Sequence, residues 1–483
     1  MGILSNTEPR EVFHYFEEIC EIPHGSSNTT KISNYLVKFA QNHNLRFLQD
    51  ASDNVIIFKD GTDGRESRPP VMLQGHMDMV CEKEDGYDID FEKSGLSLEL
   101  NDGIITAKGT TLGGDDGIAV AYMLALLASN QITHPPLEAV FTADEEIGML
   151  GAAALDCTPL HARTMLNIDS EEEGYLLASC AGGATVTVHL PITVSECTGN
   201  VASLKIDGLQ GGHSGIEIDK GRANACTLLG RTLYELKKNY SFQMIQVTGG
   251  LKDNAIPREA SCTFLLAQDT DIAKLQDAVH RIQDIYRTEY QSVDSNITLT
   301  LSCDKTGEVV SAMNKESSLN IITALMNLPN GIQKMSCDIE GLVQTSLNLG
   351  IMATGQNEVS LTYSVRSSMS TEKEALVDKL SCLTEHLGGF ITKSGDYPAW
   401  EYRKESPLRN LMIEIFEKQY GKKPVIQAVH AGVECGLFAG KMPGLDCISF
   451  GPDMKDIHTP KESMDVASVQ RTWLYLLEIL KRI

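Results

Sequence analysis

Val71-Met-Leu-Gln-Gly-His76-Met-Asp78-Met-Val80 reads as an apolar strand running into a histidine and an aspartate two residues apart. In extended backbone such residues share a face. Asp78 is therefore expected beside His76, accepting its second ring N–H and fixing the tautomer a metal-bound imidazole needs. Taken alone, the tripeptide reads equally as a capped strand end with a surface histidine.

The surrounding texture places this strand in an α/β domain. Apolar residues recur at helical spacing over 9–42, broken by the Pro23-His24-Gly25 turn. Strands are then expected at 55–58, 71–73, 137–142 and 165–168, with a helix at 117–129. Buried strands interleaved with helices argue for a largely parallel sheet.

From 184 to 395 the reading changes to strand, helix, strand, strand, helix, strand, and then much the same again. Two ferredoxin-like units account for it. Alternation returns after 398 and ends in an amphipathic helix at 465–481. The expected architecture is a discontinuous α/β domain, 1–181 plus 397–483, with an inserted α+β domain at 182–396. Glycine-containing joins at 181–183 and 395–398 suit a hinge.

Four more clusters fall at strand ends or loops of the discontinuous domain, where α/β sheets put their ligand sites. Gly113-Gly-Asp115-Asp116-Gly117 opens a helix; two adjacent acids exceed what an N-cap requires, although a turn and cap is the plain alternative. Asp144-Glu145-Glu146-Ile-Gly148 follows an apolar strand, and three acids in a row repel unless a cation or proton intervenes; a solvated acidic turn is the alternative. Asp169 ends another strand, and His458 sits in Asp456-Ile-His458-Thr-Pro-Lys-Glu462 before the last helix.

Mixed histidine and carboxylate ligation suits zinc, cobalt or manganese, and no cysteine lies in these motifs. Three ligand carboxylates (Asp115, Glu146, Asp169) against two divalent cations leave about one net positive charge, enough to activate a bridging water. Glu145, the acid not spent on metal, fits as general base. Ser214 in Gly212-His213-Ser214-Gly215 lacks the spacing of a nucleophile elbow.

Composition narrows the rest. Sixty-five acidic residues against 41 basic give a net charge of −24, which repels nucleic acid and anionic lipid. Twelve cysteines without a C-x-x-C pair read as reduced thiols. The first twenty residues lack the pattern of a secretory signal, and no apolar run spans a bilayer. A cytoplasmic enzyme is expected.

HMD at 76–78, GGDDG at 113–117, DEEIG at 144–148, NID at 167–169 and IHTPKE at 457–462, in that order, resemble the aminoacylase/carboxypeptidase-type family of co-catalytic zinc peptidases across essentially the whole chain. GGHSGIEI (211–218), NAIPRE (254–259), SVRSS (364–368), HAGVECG (430–436) and HTPKESMDV (458–466) are most similar to its aminoacyl-histidine (cytosolic non-specific, carnosinase-like) dipeptidase branch. Many relatives carry lysine where this chain has Gly117, a departure that favours that branch.

The resemblance implies a catalytic domain with a lid, and two metal ions, zinc foremost. Asp115 bridges them, His76 and Asp169 complete one site, Glu146 and His458 the other. Asp78 orients His76, Glu145 is the base, and His213 in the lid stabilises the oxyanion. Asn254, Arg366 and Gly432 hold the substrate carboxylate. It further implies a non-proline cis peptide at Asp115–Asp116. The expected activity is hydrolysis of dipeptides with free ends, β-alanyl-histidine among them. N-acyl-amino-acid deacylation on the same metals is the alternative, and a non-catalytic metal binder a more distant one. Small peptides are the expected partners, with a homodimer as the expected assembly.

Overall fold

The computed structural model describes residues 2–304, 307 and 309–483. Two compact units emerge: 2–180 with 402–428 and 433–483, and 181–401 with 429–432. The brief return at 429–432 is marked by no shift in composition.

The first unit is built on an eight-stranded mixed sheet. Its centre is parallel: Leu137–Thr142, Val71–His76, Thr164–Asn167 and Asp446–Ser449 lie side by side in that order. Antiparallel partners finish both flanks, with Val55–Lys59 and Arg46–Gln49 on one side. The Val71–His76 and Leu137–Thr142 strands are buried throughout, which explains continuous apolar runs rather than alternation. Helix Gly114–Ala128 is buried at every residue from 114 to 127, as an all-round apolar helix must be. Each fully buried Leu or Phe of this core contributes roughly 1.5–3 kcal/mol by leaving water.

The second unit holds two ferredoxin-like units, and they are nested rather than consecutive. Asn200–Asp207, Phe242–Gly249, Ala260–Leu266 and Thr298–Asp304, with helices Ala225–Lys237 and Ile272–Glu289, form one complete βαββαβ set. The other set takes its first strand, Gly182–Pro191, from before that insertion. It takes Val343–Thr354, Glu358–Ser367 and Phe390–Tyr397 from after it, with helices Lys315–Asn327 and Ser370–His386. Both sets have the strand order 4-1-3-2, and they meet edge to edge in one sheet where Gly249 pairs Met352. The chain enters and leaves the insertion through the antiparallel pair Val194–Thr198 and Val309–Met313. The sequence reads the two sets as consecutive; the pairing of Gly182–Pro191 with Glu358–Ser367 along ten residues shows one nested inside the other.

Among the described residues no helix is long and apolar enough to cross a membrane. None of the twelve cysteines, all among the described residues, forms a disulfide.

Candidate active site

The parallel strands of the first unit end together and deliver the polar groups as a set. His76 is the last residue of its strand and pairs Thr142; two and three residues beyond Thr142 come Asp144 and Glu145. Gln74 pairs Asn167, and Asp169 follows two residues later. Asp115 enters from the start of the Gly114–Ala128 helix, where its own φ and ψ of −82° and 103° are not helical. The Asp115–Asp116 peptide is cis. His458 comes from the loop before the last helix.

All five expected ligand residues meet. The Asp115 carboxylate is shared: Oδ1 lies 3.1 Å from His76 Nε2, and Oδ2 lies 3.1 Å from His458 Nε2. Asp169 Oδ1 stands 3.7 Å from His76 Nε2, and Glu146 Oε1 stands 2.8 Å from His458 Nε2. His76–Asp115–Asp169 and Asp115–Glu146–His458 each bring their donor atoms within 4.8 Å of one another.

The electrostatics show what such crowding demands. Burial pulls the His76 imidazole down, yet the Asp115, Asp169 and Asp78 carboxylates more than reverse this and hold it well above its ordinary value. His458 is pushed up to about 10 by Asp115 and Glu146. Burial raises Asp115, but hydrogen bonds from His458 and His76 hold it below the usual carboxylate range. Glu145 is pushed up to about 9, first by burial and then, against the pull of His76, by Asp169, Glu434 and Glu146.

Asp78 orients more than the histidine. The nearer acceptor of His76 Nδ1 is the Asp78 backbone carbonyl at 3.0 Å, with the carboxylate at 3.5 Å. That carboxylate accepts instead from the Ser26 hydroxyl at 2.8 Å and from the backbone N–H groups of Glu145 and Glu146 at 3.0 and 3.3 Å. The ring therefore faces two acceptors of the same residue, the carbonyl nearer and the carboxylate farther. On the far side, Asp116 Oδ2 accepts the His76 backbone N–H at 3.1 Å. Gly75 makes room for it, since a Cβ there would lie 2.5 Å from the same oxygen.

His213, Asn254, Arg366 and Gly432 all belong to the second unit. His213 pairs Ala255 in a two-residue ladder, which sets Asn254 beside it, and the Asn254 carbonyl accepts the Ser214 N–H at 2.8 Å. His213 Nδ1 accepts the N–H groups of Gly215 and Ile216 at 3.1 and 3.2 Å. Its proton must therefore sit on Nε2. Burial first, and then the Arg366 charge, lower its pKa and keep it neutral. Arg366 is buried on the Glu358–Ser367 strand; its Nη1 donates to Tyr397 at 3.2 Å while Nε has no partner among the described residues. Gly432 lies in the 429–432 return, next to Ala431, whose carbonyl accepts the Ala181 N–H. Ser214 is buried, and among the described residues its hydroxyl has no hydrogen-bond partner to act as a base.

Residues 72–482 match the model of Peptidase family M20/M25/M40. The chain belongs to this peptidase family. It is 36% identical over 485 residues to the cytosol non-specific dipeptidase of Escherichia coli, covering 100% of this chain and 99% of that one. It is similar to the crystal structure of aminoacylhistidine dipeptidase from Vibrio alginolyticus, with a TM-score of 0.92 at 34% identity over 100% and 98% of the two chains. The aminopeptidase PepT from Bacillus cereus shares the fold, with a TM-score of 0.57 at 15% identity over 98% of each chain.

Family M20/M25/M40 membership implies divalent metal ions, and the donor set of this peptidase fits them: two imidazoles and three carboxylates, hard or borderline, with one carboxylate shared.

Beneath the cage the peptidase also carries a polar bar that sequence reading missed. Glu434 Oε2 accepts from Thr142 Oγ1 at 2.7 Å and from Gln74 Nε2, and Gln74 Oε1 accepts from Asn167 Nδ2 at 2.6 Å. Gln74 and Asn167 each stand two residues before a cage member, so they share its face. Burial and the nearby Asp169 and Asp78 charges, partly offset by His76 and Thr142, push Glu434 up to about 7. The signal available was polar residues inside apolar strands, together with an acid in HAGVECG.

Proposed function

We propose that this M20 peptidase hydrolyses dipeptides with free ends, Xaa-His and β-alanyl-histidine among them, on two divalent cations held by His76, Asp115, Glu146, Asp169 and His458. The single observation that supports this most is the Asp115 carboxylate, whose two oxygens each face a different histidine at 3.1 Å. Full-length similarity to a dipeptidase at 36% identity supports the substrate class. Zinc is the proposed ion, with cobalt or manganese able to replace it.

When bound, the cations supply positive charge that polarises the scissile carbonyl and lowers the pKa of the attacking water. The chain's own groups do the rest. Glu145, aimed by the hydrogen bond from its backbone N–H to Asp78, takes the water's proton and passes it to the leaving amine. His213 presents Nε2–H to the developing oxyanion, a role open to it because it stays neutral with Nδ1 occupied. Arg366, with Asn254 and the backbone at Gly432, holds the C-terminal carboxylate of the substrate, which a guanidinium fork matches. The second unit then acts as a lid that measures the distance from scissile carbonyl to carboxylate and so rejects longer peptides. The cytosol is the proposed location, as the name of the Escherichia coli relative says of that protein.

The test is release of free histidine from β-alanyl-histidine and a panel of Xaa-His and other dipeptides, with zinc, cobalt or manganese and a chelator control. Chelator-sensitive cleavage of dipeptides, with N-acetylated and longer peptides left intact, is expected. Cleavage of N-acyl amino acids in place of dipeptides would transfer the same site to deacylation.

A further inference from the structure

Between Met454 and Met464 one residue is buried, Glu462; every other residue of that stretch, His458 included, is partly or fully exposed. The loop is closed at its base by the pairs Met454–Met464 and Lys455–Ser463. Asp456 and His458 both hold positive φ, +53° and +61°, a region non-glycine residues occupy only when their surroundings impose it. An exposed loop in a disfavoured conformation needs an anchor.

Glu462 is that anchor, and it is bound to the other half of the cage. Its Oε2 accepts the backbone N–H groups of Leu112 and Gly113 at 2.7 and 3.1 Å. Its Oε1 accepts those of Gly114 and Asp115 at 2.8 and 3.3 Å. These include leading N–H groups of the Gly114–Ala128 helix, which have no partner within the helix. Four donors meet the four lone-pair sites of one carboxylate. The last donor belongs to Asp115 itself, the residue shared between both donor groups. Gly113 allows this approach: it holds φ of +67°, and a Cβ there would lie 2.9 Å from the Met79 sulfur.

We infer that Glu462 is a positioning residue that locks the loop carrying His458 to the loop carrying Asp115, so that the Asp115–Glu146–His458 group is assembled before its cation arrives. The inference rests on the two-cation reading of the site. The hydrogen bonds of Glu462 among the described residues go to backbone N–H groups and not to the donor atoms, so it acts through backbone placement. A glutamine in its place offers one oxygen, and its NH2 faces two N–H donors. An aspartate keeps the charge but falls one methylene short of the loop.

The experiment is a cobalt titration of the full chain, stripped of metal, against a competing chelator, which reads two dissociation constants. His458→Ala identifies which constant belongs to the His458 group. Glu462→Gln is expected to weaken that constant by about 10- to 100-fold and the other by much less. The thermal midpoint of the metal-free variant, read alongside, separates this from simple loss of a helix cap, which would lower the midpoint and leave both constants unchanged. Unchanged constants in a folded Glu462→Gln overturn the inference. If that variant does not fold, Glu462→Asp decides on the same two constants. A wild-type chain that binds fewer than two ions overturns the two-cation reading, and this inference with it.

Discussion

The Asp78 carboxylate accepts the backbone N–H of Glu145 at 3.0 Å, and its second oxygen takes the N–H of Glu146 at 3.3 Å. One buried acid next to His76 therefore sets where both neighbouring glutamates point. Asp78→Asn replaces one acceptor by an NH2 that opposes a backbone donor. Outer partners of this kind are typically worth 10–100-fold in activity or metal affinity, so kcat is expected to fall by about that factor while both ions remain bound. Steady-state kinetics with elemental analysis of the same sample checks it; kcat within about twofold of wild type would remove Asp78 from the site.

Glu145→Gln tests the base directly. General-base catalysis typically contributes about 10²–10⁴-fold, and kcat should drop by that order. Metal content should stay at the wild-type value, because the proposed ligand is Glu146. Undiminished turnover would disqualify Glu145.

Metal removal should make stability fall as pH rises. In the metal-free chain His458 is pushed up to about 10 from 6.5 by Asp115 and Glu146, and Glu145 up to about 9 from 4.5, chiefly by burial. Both bind protons more tightly folded than unfolded, so the folded state carries more protons in between, and stability declines with pH there. The His458 contribution is complete below about pH 6.5 and gone above about pH 10. Thermal melts of chelator-treated protein at about pH 7 and about pH 9 should show a lower midpoint at the higher pH. Saturating zinc, which replaces those protons, should shrink the difference. A midpoint that rises with pH in the chelated protein would contradict the crowding described for this cage.

Part of the cage is legible because its members close apolar runs. His76 and Asp169 stand at or just past buried strands, and the 144–146 acids follow Leu137–Thr142, so strand periodicity alone brought them to one edge. Asp115 opens a helix and His458 sits in a loop, and both stand out only by the acids and glycines beside them. What stayed hidden depends on distant partners. Gly182–Pro191 looks like any strand, and only its pairing with Glu358–Ser367 reveals that one βαββαβ set interrupts the other. Gln74, Asn167 and Glu434 read as isolated polar residues until the fold joins them. Glu462 lay inside a motif already singled out, but its role depends on backbone N–H groups nearly 350 residues earlier, which no side-chain pattern records.

Arg366→Lys should raise KM for dipeptides more than it lowers kcat. Lysine keeps the charge but cannot make the paired contact of a guanidinium. A charge-assisted hydrogen bond is worth about 1.5–3 kcal/mol, so an increase of roughly ten- to a hundredfold in KM is expected. Substrates amidated at the C-terminus should lose the distinction between wild type and variant. If they show the same difference, Arg366 does not meet the carboxylate.

His213 offers the sharpest separation, because its tautomer is fixed by backbone geometry. Nδ1 accepts from Gly215 and Ile216, so Nε2 alone can donate to an oxyanion. A glutamine amide reaches about as far as Nε2, whereas asparagine reaches about as far as Nδ1. Loss of one oxyanion donor typically costs about 10²–10³-fold in kcat. His213→Ala and His213→Asn should both show that loss, with His213→Gln retaining more. The pH profile adds a second handle. Burial and the Arg366 charge hold the His213 pKa below 6.5, so it stays neutral through the neutral range. Protonating it would turn Nδ1 into a donor facing two N–H groups. An acid limb due to His213 should therefore appear below about pH 6.5 in kcat and move upward when Arg366→Gln removes the opposing charge. A limb that stays in place would mean that another group titrates there, and equal activity in the Gln and Asn variants would mean that Nε2 is not the donor.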